Sequence, residues 1–550
     1  MFETAEVTAA PEAPDSAPKS KQDLRPLWFW AIAIALLCLG LALRLSNLLG
    51  GRGLWLDELY LAPNVLDRGF VELASPLINQ QVAPLGFLAA SKLATLLPVD
   101  AEIGLRLFPF LAEASGVALF LALMLRAGAS RTAAVIGLAC VCLLNPFVRH
   151  GPEFKQYGTE FFVTVLAALI ALTVLQRPTL GRRIGLAAAG ALACLLSLTA
   201  PFALATGGIL LFFRDLRARD WAATAGTAAT GALWIGVFAL GAMAILNTGT
   251  QDEMQGTFWS WAFLPLPPSP YTVEWLIRRL FDLFRETSGF HDVGGLAVLF
   301  AALGMAVFWR DRRWVVLALL LGPLAFAFFA SAAQLYPFHG RLLHFATPGL
   351  VALVAVGTAA LAERLASGRG RAAVTVLLAL LLVVPGARAT VENAARTTPP
   401  FEREGVERVI AQVLRQREAG DLIYLHAKAV APALRHSERT GTPLDPYMIG
   451  RDPIAGPAHF LQDVEALAAR GGRVWVVIGA GWLGTGTADI ADWITDNLLV
   501  QFAQPGAEIR SVEARAVLLD FGPGGTDGPR LITGDPGPYR PDQFGDFPQP

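Results

Sequence analysis

Acidic and basic side chains are concentrated in three segments that separate long apolar runs of the chain. The first, LWLDELY, contains Asp57 and Glu58; the second, RHGPEFKQYGTEF, spans 149–161; the third, QLYPFHGRLLHF, spans 334–345. Carboxylates are suited to accepting a proton, and Lys and Arg side chains are suited to holding an anionic group such as a phosphate. These residue types together indicate chemistry on an anionic substrate.

The composition is that of a polytopic membrane protein. Of 550 residues, 54% are hydrophobic and 16% are charged, whereas soluble domains carry roughly 25% charged residues. Residues 395–550 hold 35 of the 89 charged residues, which predicts one soluble domain at the C-terminus. A soluble enzyme and a fibrous protein are excluded. The net charge of −1 gives no sign of nucleic-acid binding.

Eleven apolar runs are predicted to cross the membrane as helices within a membrane domain at 25–394, after a disordered tail at 1–24. A shorter apolar run at 84–98 carries Lys92 and is interpreted as an interfacial or re-entrant helix. The predicted spans are 27–49, 105–125, 132–148, 159–176, 184–199, 201–213, 221–246, 293–309, 314–333, 342–362 and 372–388.

Arginine-rich short loops predict the orientation, because basic residues accumulate on the cytoplasmic side. The N-terminus is then cytoplasmic, and the chain is expected in a bacterial inner membrane. The outward, periplasmic parts are the loops 50–104, 149–158, 247–292 and 334–341, together with the C-terminal domain.

The C-terminal part is predicted to be a small α/β domain at 395–521, followed by a disordered tail at 522–550. Its predicted helices lie at 402–417, 459–470 and 487–499, and its predicted strands are DLIYLH (421–426), GGRVWVVIGA (471–480) and 511–521. In the outward loop 247–292, Val273, Leu276 and Leu280 share one face of a predicted amphipathic helix at the membrane surface.

Basic residues on the outward side need a reason, because topology disfavours them there. Arg106, Lys155, Arg278, Arg279 and Arg341 would together suit an anionic phosphate at the outer surface. Structural alternatives remain open. Lys155 could pair with Glu153 or Glu160, Arg341 could reach lipid headgroups, and Arg278 and Arg279 could face lipid. Asp57 and Glu58 could be solvated loop carboxylates, and His339 and His344 could be structural.

The order of several short motifs resembles the GT-C class of membrane glycosyltransferases. These motifs are Asp57-Glu58 just after the first span, NQQVAPLGF at 79–87, RLFP at 106–109, EFKQYGTEF at 153–161, and the late aromatic-Pro and Gly-Arg segment. The pattern is similar to the protein O-mannosyltransferase and lipid A aminoarabinose-transferase branch, including bacterial family 39-like proteins. One departure is Val82-Ala83-Pro84, where the family has His-Pro-Pro.

The resemblance implies transfer of a sugar from a polyprenyl-phosphate donor on the outward side of the membrane. It implies Asp57 as the catalytic carboxylate, with Glu58 as its neighbour. It implies donor-phosphate binding by Lys155, Arg341 and Arg106. Further candidates for substrate binding are Gln81, Glu153, Tyr157, Arg278 and His339.

A single displacement would invert the anomeric centre, with a carboxylate taking the acceptor proton and Lys and Arg stabilising the departing phosphate. The acceptor, a lipid, polysaccharide or protein, stays open. No cofactor is firmly implied, and a divalent cation at Asp57 and Glu58 is possible. Two other classes remain: a lipid or oligosaccharide transporter or flippase, and a non-catalytic envelope-assembly protein.

Overall fold

The computed structural model describes residues 27–79, 81–246, 259–395, 397, 399–450, 463, 466–479 and 504–523. The predicted tail at 1–24, the helix at 487–499, half of 459–470 and most of 522–550 lie outside them. Every predicted span falls on a helix. The eleven helices are Leu27–Leu49, Ala101–Arg126, Arg131–Leu143, Tyr157–Gln176, Leu180–Leu196, Ala200–Arg217, Trp221–Leu246, Gly294–Arg310, Trp314–Ala332, Thr347–Leu365 and Gly368–Ala395.

Among the described residues, eight helices are long and apolar enough to cross a membrane by length and composition. Of the other three, Arg131–Leu143 and Leu180–Leu196 are shorter, and Ala200–Arg217 ends in charged residues. The chain is therefore an integral membrane protein with a helical membrane domain, as its composition predicts.

The centre of the membrane domain is the helix Thr347–Leu365, most of whose side chains are buried. It packs closely against Gly294–Arg310, because glycines on each helix face the other backbone. A Cβ atom at Gly304 would collide with the carbonyl of Leu353, and one at Gly357 would collide with the carbonyl of Phe300. Small residues at such contacts let membrane helices approach closely.

In two of the predicted spans, the α-helix does not extend over the whole apolar run. The run 132–148 is broken at Leu144, whose backbone is extended, and a short helix Asn145–His150 follows, with Pro146 in its first turn. The run 342–362 begins as the 3₁₀ helix Gly340–Ala346, and the α-helix starts only at Thr347, next to Pro348. Both breaks lie where polar residues meet the membrane domain.

Short helices build the connections at that end. The predicted surface helix is present as Pro270–Asp282, and the apolar run 84–98 contains the helix Leu85–Ala94. Val273 and Leu280 on the predicted apolar face are exposed, whereas Trp275 is buried. The remaining short elements are Leu56–Leu61, Pro63–Leu66, Glu72–Ala74, Ser260–Ala262, Leu283–Thr287 and His291–Val293.

The C-terminal part contains a five-stranded mixed sheet in the order β2-β1-β3-β5-β4. The strands are β1 Leu422–Leu425, β2 Tyr447–Ile449, β3 Gly471–Ile478, β4 Gln504–Ser511 and β5 Ala514–Pro523. β1 is parallel to β2 and β3, while β5 is antiparallel to β3 and β4. Helices Val406–Gln416 and Ala427–Thr440 pack on one face. The predicted α/β architecture is confirmed; β2 and β4 had not been predicted.

Candidate active site

Asp57 lies at the start of the short helix Leu56–Leu61, immediately after the first long helix and its turn. Its Oδ2 atom accepts a hydrogen bond from Arg341 Nη2 at 2.6 Å. The side chains of Asp57 and Arg341 are 25% and 26% exposed. A carboxylate and a guanidinium that are both partly open can be reached by a substrate.

Aromatic rings hold the Arg341 guanidinium in place. Its Cζ atom lies 4.9 Å from the centre of the Trp55 ring and 5.9 Å from that of the Tyr157 ring. Arginine over an aromatic face is attracted by the ring electrons, and the ring limits the directions in which it can move. Tyr157, predicted from the sequence as a substrate-binding residue, is itself buried beneath Arg341.

Lys155 is the second cation of the site. Its Nζ atom donates a 2.6 Å hydrogen bond to Gln81 Oε1, and 6% of the residue is exposed. Burial lowers the pKa of Lys155, and the nearby Asp57 carboxylate acts in the opposite direction. The structure thus brings together Asp57, Arg341, Lys155 and Gln81.

Glu58 has a different position from Asp57, and the catalytic role predicted for it does not fit its surroundings. It is fully buried, and its oxygens accept hydrogen bonds from Arg52 at 3.1 Å, Arg106 at 2.6 and 2.9 Å, and the Phe154 amide at 2.7 Å. Burial opposes its ionisation, but Arg106 and Arg52 outweigh that effect and lower the pKa of Glu58 to about 2. Glu58 is a structural anion.

Arg106 is likewise not available to a donor phosphate, contrary to the prediction. Its guanidinium is buried and donates to Glu58 and to the carbonyls of Arg52 and Gly53. The physical reason is geometric. A buried carboxylate needs a cation beside it, and Arg106 supplies that cation to Glu58. This ion pair joins residues 48 positions apart and fixes the loop before Asp57 onto the helix Ala101–Arg126.

Glu153 is also buried, and its predicted contact with substrate is not available. Its carboxylate contacts His150 at 2.8 Å, Arg149 at 3.5 Å and Arg403 at 3.5 Å. Burial opposes ionisation, but His150 and then Arg403 and Arg149 hold the pKa of Glu153 well below its usual value. Because Glu153 has these partners and Lys155 bonds to Gln81, the suggested structural pair Glu153–Lys155 is not formed.

His339, two residues before Arg341 in the sequence, accepts a hydrogen bond from Arg279. The Arg279 Nη1 to His339 Nδ1 distance is 2.5 Å, and the Trp261 and His339 rings are 4.5 Å apart. Burial, then Arg279 and Arg341, lower the pKa of His339 to about 3, so its ring is neutral. Arg278 points elsewhere: it is exposed and pairs with Glu274 at 2.6 Å.

His344 is fully buried between Phe147, Phe161 and His150, with ring centres 5.1 to 5.7 Å apart. His344 thus has a structural position, which is the alternative that the sequence analysis left open.

A divalent cation does not fit the residues around Asp57. Its carboxylate is paired with Arg341, Glu58 is neutralised by two arginines, and Lys155 adds a further positive charge. Within the described ranges, no group of three or more His, Cys, Asp and Glu side chains is placed to hold a metal ion. The possible metal site at Asp57 and Glu58 is therefore not supported by the donor set.

Comparisons with known proteins identify similar structures and no sequence relative. No family model matches the chain, and no curated protein matches its sequence. A crystal structure of ArnT from Cupriavidus metallidurans bound to undecaprenyl phosphate is 14% identical, with a TM-score of 0.46, over 90% of this chain and 97% of that one. The apo oligosaccharyltransferase of Archaeoglobus fulgidus is 11% identical, with a TM-score of 0.47, over 82% and 70%.

At these identities and TM-scores, neither match carries an argument about the activity of this chain. The chemistry therefore has to be judged from the residues of this chain.

The sequence pattern missed a segment that joins the C-terminal domain to the site, at 399–405, here named the docking segment. Arg403 stacks over Trp55, with Cζ 3.8 Å from the ring centre, and pairs with Glu153. Glu404 Oε2 accepts a 2.7 Å hydrogen bond from the amide of Leu56. Leu56 and Glu404 are 348 positions apart in the sequence. They come into contact only in the folded protein, so no motif spacing could have indicated this contact.

Proposed function

We propose that this protein is a membrane glycosyltransferase that moves a sugar from a polyprenyl-phosphate donor to an acceptor hydroxyl by inverting single displacement. The observation that carries the proposal is the pairing of the partly open Asp57 carboxylate with Arg341, beside Lys155. One group can accept a proton, and two adjacent groups can stabilise an anion.

In the proposed reaction an acceptor hydroxyl attacks the anomeric carbon of the donor sugar, with Asp57 as the base and Lys155 and Arg341 as the neighbouring cations. The acceptor oxygen forms a bond to that carbon and gives its proton to Asp57, while the bond to the phosphate oxygen breaks. The leaving polyprenyl phosphate gains negative charge, which Lys155 and Arg341 stabilise in a site shielded from water. Arg341 can reach both Asp57 and a phosphate, because its planar guanidinium carries five donors.

The position of the site fits a donor with a long apolar tail. The helix Pro270–Asp282 is joined to His339 of the site by the hydrogen bond from its own Arg279. On this helix, the side chains of Val273 and Ile277 are 57% and 53% exposed. An exposed apolar face next to a polar site suits the boundary between hydrocarbon and headgroups. A polyprenyl chain could then remain in the lipid while its phosphate reaches Lys155 and Arg341.

Mass spectrometry of lipids and envelope glycans tests the proposal and names the product. A strain lacking the gene would be complemented with wild type, Asp57→Asn or Asp67→Asn. Asp67 is an exposed carboxylate of the same loop and is the matched control. We expect one glycosylated species to be absent with Asp57→Asn and present with Asp67→Asn.

Asp57→Asn retains the shape of the side chain but removes the proton acceptor, so turnover should fall by roughly 10²-fold or more. Comparable product from a well-expressed Asp57→Asn variant would exclude Asp57 as the base.

A further inference from the structure

A cleft of about 800 Å³ opens at the end of the membrane domain away from the candidate active site. It lies between the C-terminal ends of helices Ala101–Arg126, Tyr157–Gln176 and Ala200–Arg217 and the start of Trp314–Ala332. None of the residues discussed at the active site lines it.

The length of the helix Tyr157–Gln176 gives the distance between the candidate active site and the cleft. Tyr157 packs beneath Arg341, whereas Gln176 lines the cleft. Twenty residues rising 1.5 Å each span about 30 Å, which is the thickness of the hydrocarbon core. The cleft and the active site therefore lie at opposite faces of the membrane.

The charged lining of the cleft is entirely basic. Among the residues that the structure describes, no acidic side chain lines it, and the arginines are Arg126, Arg214, Arg217, Arg312 and Arg313. They come from three different connections between helices, so the fold brings them together.

Two of these arginines already have partners. Arg313 donates to the carbonyls of Ala127 and Gly128 at 3.0 and 2.6 Å, and Arg214 contacts Asp215 at 3.4 Å. Arg126, Arg217 and Arg312 are exposed, and within the described ranges no ion pair is found for them. Three guanidinium groups at one cleft thus remain free to bind an anion.

The rest of the wall is apolar. Leu172, Leu175 and Leu210 line it, and Phe213 and Trp314 are 50% and 41% exposed. A soluble anion would gain nothing from these side chains. A molecule with a phosphate and a hydrocarbon chain would use both parts of the cleft.

We propose that the cleft is a binding site for an anionic phospholipid, with its phosphate on the free arginines and an acyl chain along the apolar wall. Basic pockets between membrane helices bind anionic headgroups, and arginine forms charge-assisted hydrogen bonds to phosphate oxygens. A zwitterionic headgroup brings its own positive charge into the arginine cluster and is disfavoured. The proposal is independent of the proposed glycosyl transfer.

Native mass spectrometry and thermal unfolding of the purified, delipidated full chain test this site. The probes are phosphatidylglycerol, phosphatidylcholine and glycerol 3-phosphate, each added to the protein in neutral detergent. We expect one tightly bound phosphatidylglycerol and a higher Tm, since a ligand bound only to the folded state stabilises it. Phosphatidylcholine and glycerol 3-phosphate should bind at least tenfold more weakly.

The variants locate the binding. Arg126→Gln, Arg217→Gln and Arg312→Gln should each weaken phosphatidylglycerol binding by about tenfold, and the triple variant should abolish it. The matched control is Arg369→Gln with Arg371→Gln, two exposed arginines in the first turn of the helix Gly368–Ala395, which should retain wild-type binding.

Three results would overturn the proposal. The first is equal binding of phosphatidylcholine and phosphatidylglycerol. The second is an equal loss in the control variant, which would show only a general attraction of basic residues to headgroups. The third is glycerol 3-phosphate binding as tightly as the lipid, which would make the cleft a site for a soluble anion. Each readout is a binding measurement, so loss of glycosyl transfer cannot imitate any of them.

Discussion

Two adjacent carboxylates, Asp57 and Glu58, have opposite environments because of helix geometry. Consecutive residues of a helix point about 100° apart, so one side chain faces Arg341 while the next enters the protein between Arg52 and Arg106. From the sequence alone both were candidates for the base. The structure distinguishes them by exposure, since Asp57 is partly open and Glu58 is buried.

Replacement of Glu58 tests its structural role. Glu58→Gln would leave Arg52 and Arg106 buried without the negative charge that they pair with. Loss of one partner of a buried ion pair lowers the free energy of unfolding by about 3–5 kcal/mol. Thermal unfolding in detergent measures the loss, with the exposed Glu72→Gln as control. A Glu58→Gln variant as stable as wild type would contradict the assignment.

The pH dependence of the Glu58 contribution follows from its lowered pKa. The unfolded carboxyl ionises near 4.5 and the folded one near 2. The stabilisation is therefore present above about pH 4.5 and is lost as the pH falls through 2. The difference in Tm between wild type and Glu58→Gln should be constant from pH 5 to 8.

Lys155 and Arg341 are predicted to hold one phosphate between them. Lys155→Met and Arg341→Met should each reduce transfer from a synthetic polyprenyl-phosphate sugar by roughly 10²- to 10³-fold, because each removes a donor to the departing phosphate. The double variant should lose much less than the product of the two effects, since both residues act on one group.

Lys92→Met is the control for this pair of variants, because Lys92 donates to the carbonyls of Val65 and Leu66. Turnover near the wild-type rate in Lys155→Met would return Lys155 to a structural role through Gln81. Multiplicative effects in the double variant would mean that the two cations act on different groups.

At the scale of helices and strands, long apolar runs were sufficient to predict the membrane helices, and β1 and β3 followed from their buried, branched side chains. Breaks were harder to predict. The backbone turns at Leu144 inside an apolar run, and the short β2 is largely exposed, so neither leaves a hydrophobic pattern. A helix was predicted from 402, but it begins at Val406, because the docking segment contacts the active-site loop.

The docking segment should respond to pH through Glu404. Burial raises the pKa of Glu404 to about 7, and Arg403 and the Leu56 amide only partly oppose this. A folded pKa above the unfolded value of 4.5 means that the contribution is full below pH 4.5 and declines as the pH rises to 7. Glu404→Gln keeps an oxygen for the Leu56 amide and removes the titration.

Thermal unfolding of wild type and Glu404→Gln at pH 5 to 8 measures this effect. We expect the stability of the variant to increase relative to wild type as the pH rises, and to level off above 7. The exposed Glu438→Gln should run parallel to wild type across the range. Parallel curves for Glu404→Gln as well would show that the buried contact does not titrate there.

On the scale of the whole molecule, the helices separate two polar ends with different composition. The active-site end has carboxylates in ion pairs with arginines. It carries the C-terminal domain, which contacts it through Glu404 and through Arg439 near Glu102. The other end has arginines in excess. Because basic residues remain on the cytoplasmic side, this asymmetry predicts that the active site and the sheet face outward.

Cysteine labelling decides that orientation. Cys38 is the exposed native cysteine and would be replaced by Ser; Cys140, Cys142 and Cys194 are buried. In that background, Glu438→Cys on the C-terminal domain should react with a membrane-impermeant maleimide in intact spheroplasts. Arg369→Cys, in the first turn of the helix Gly368–Ala395, should react only after permeabilisation. The reverse pattern would place the sheet and the Asp57 site in the cytoplasm, where the donor and acceptor would have to be sought instead.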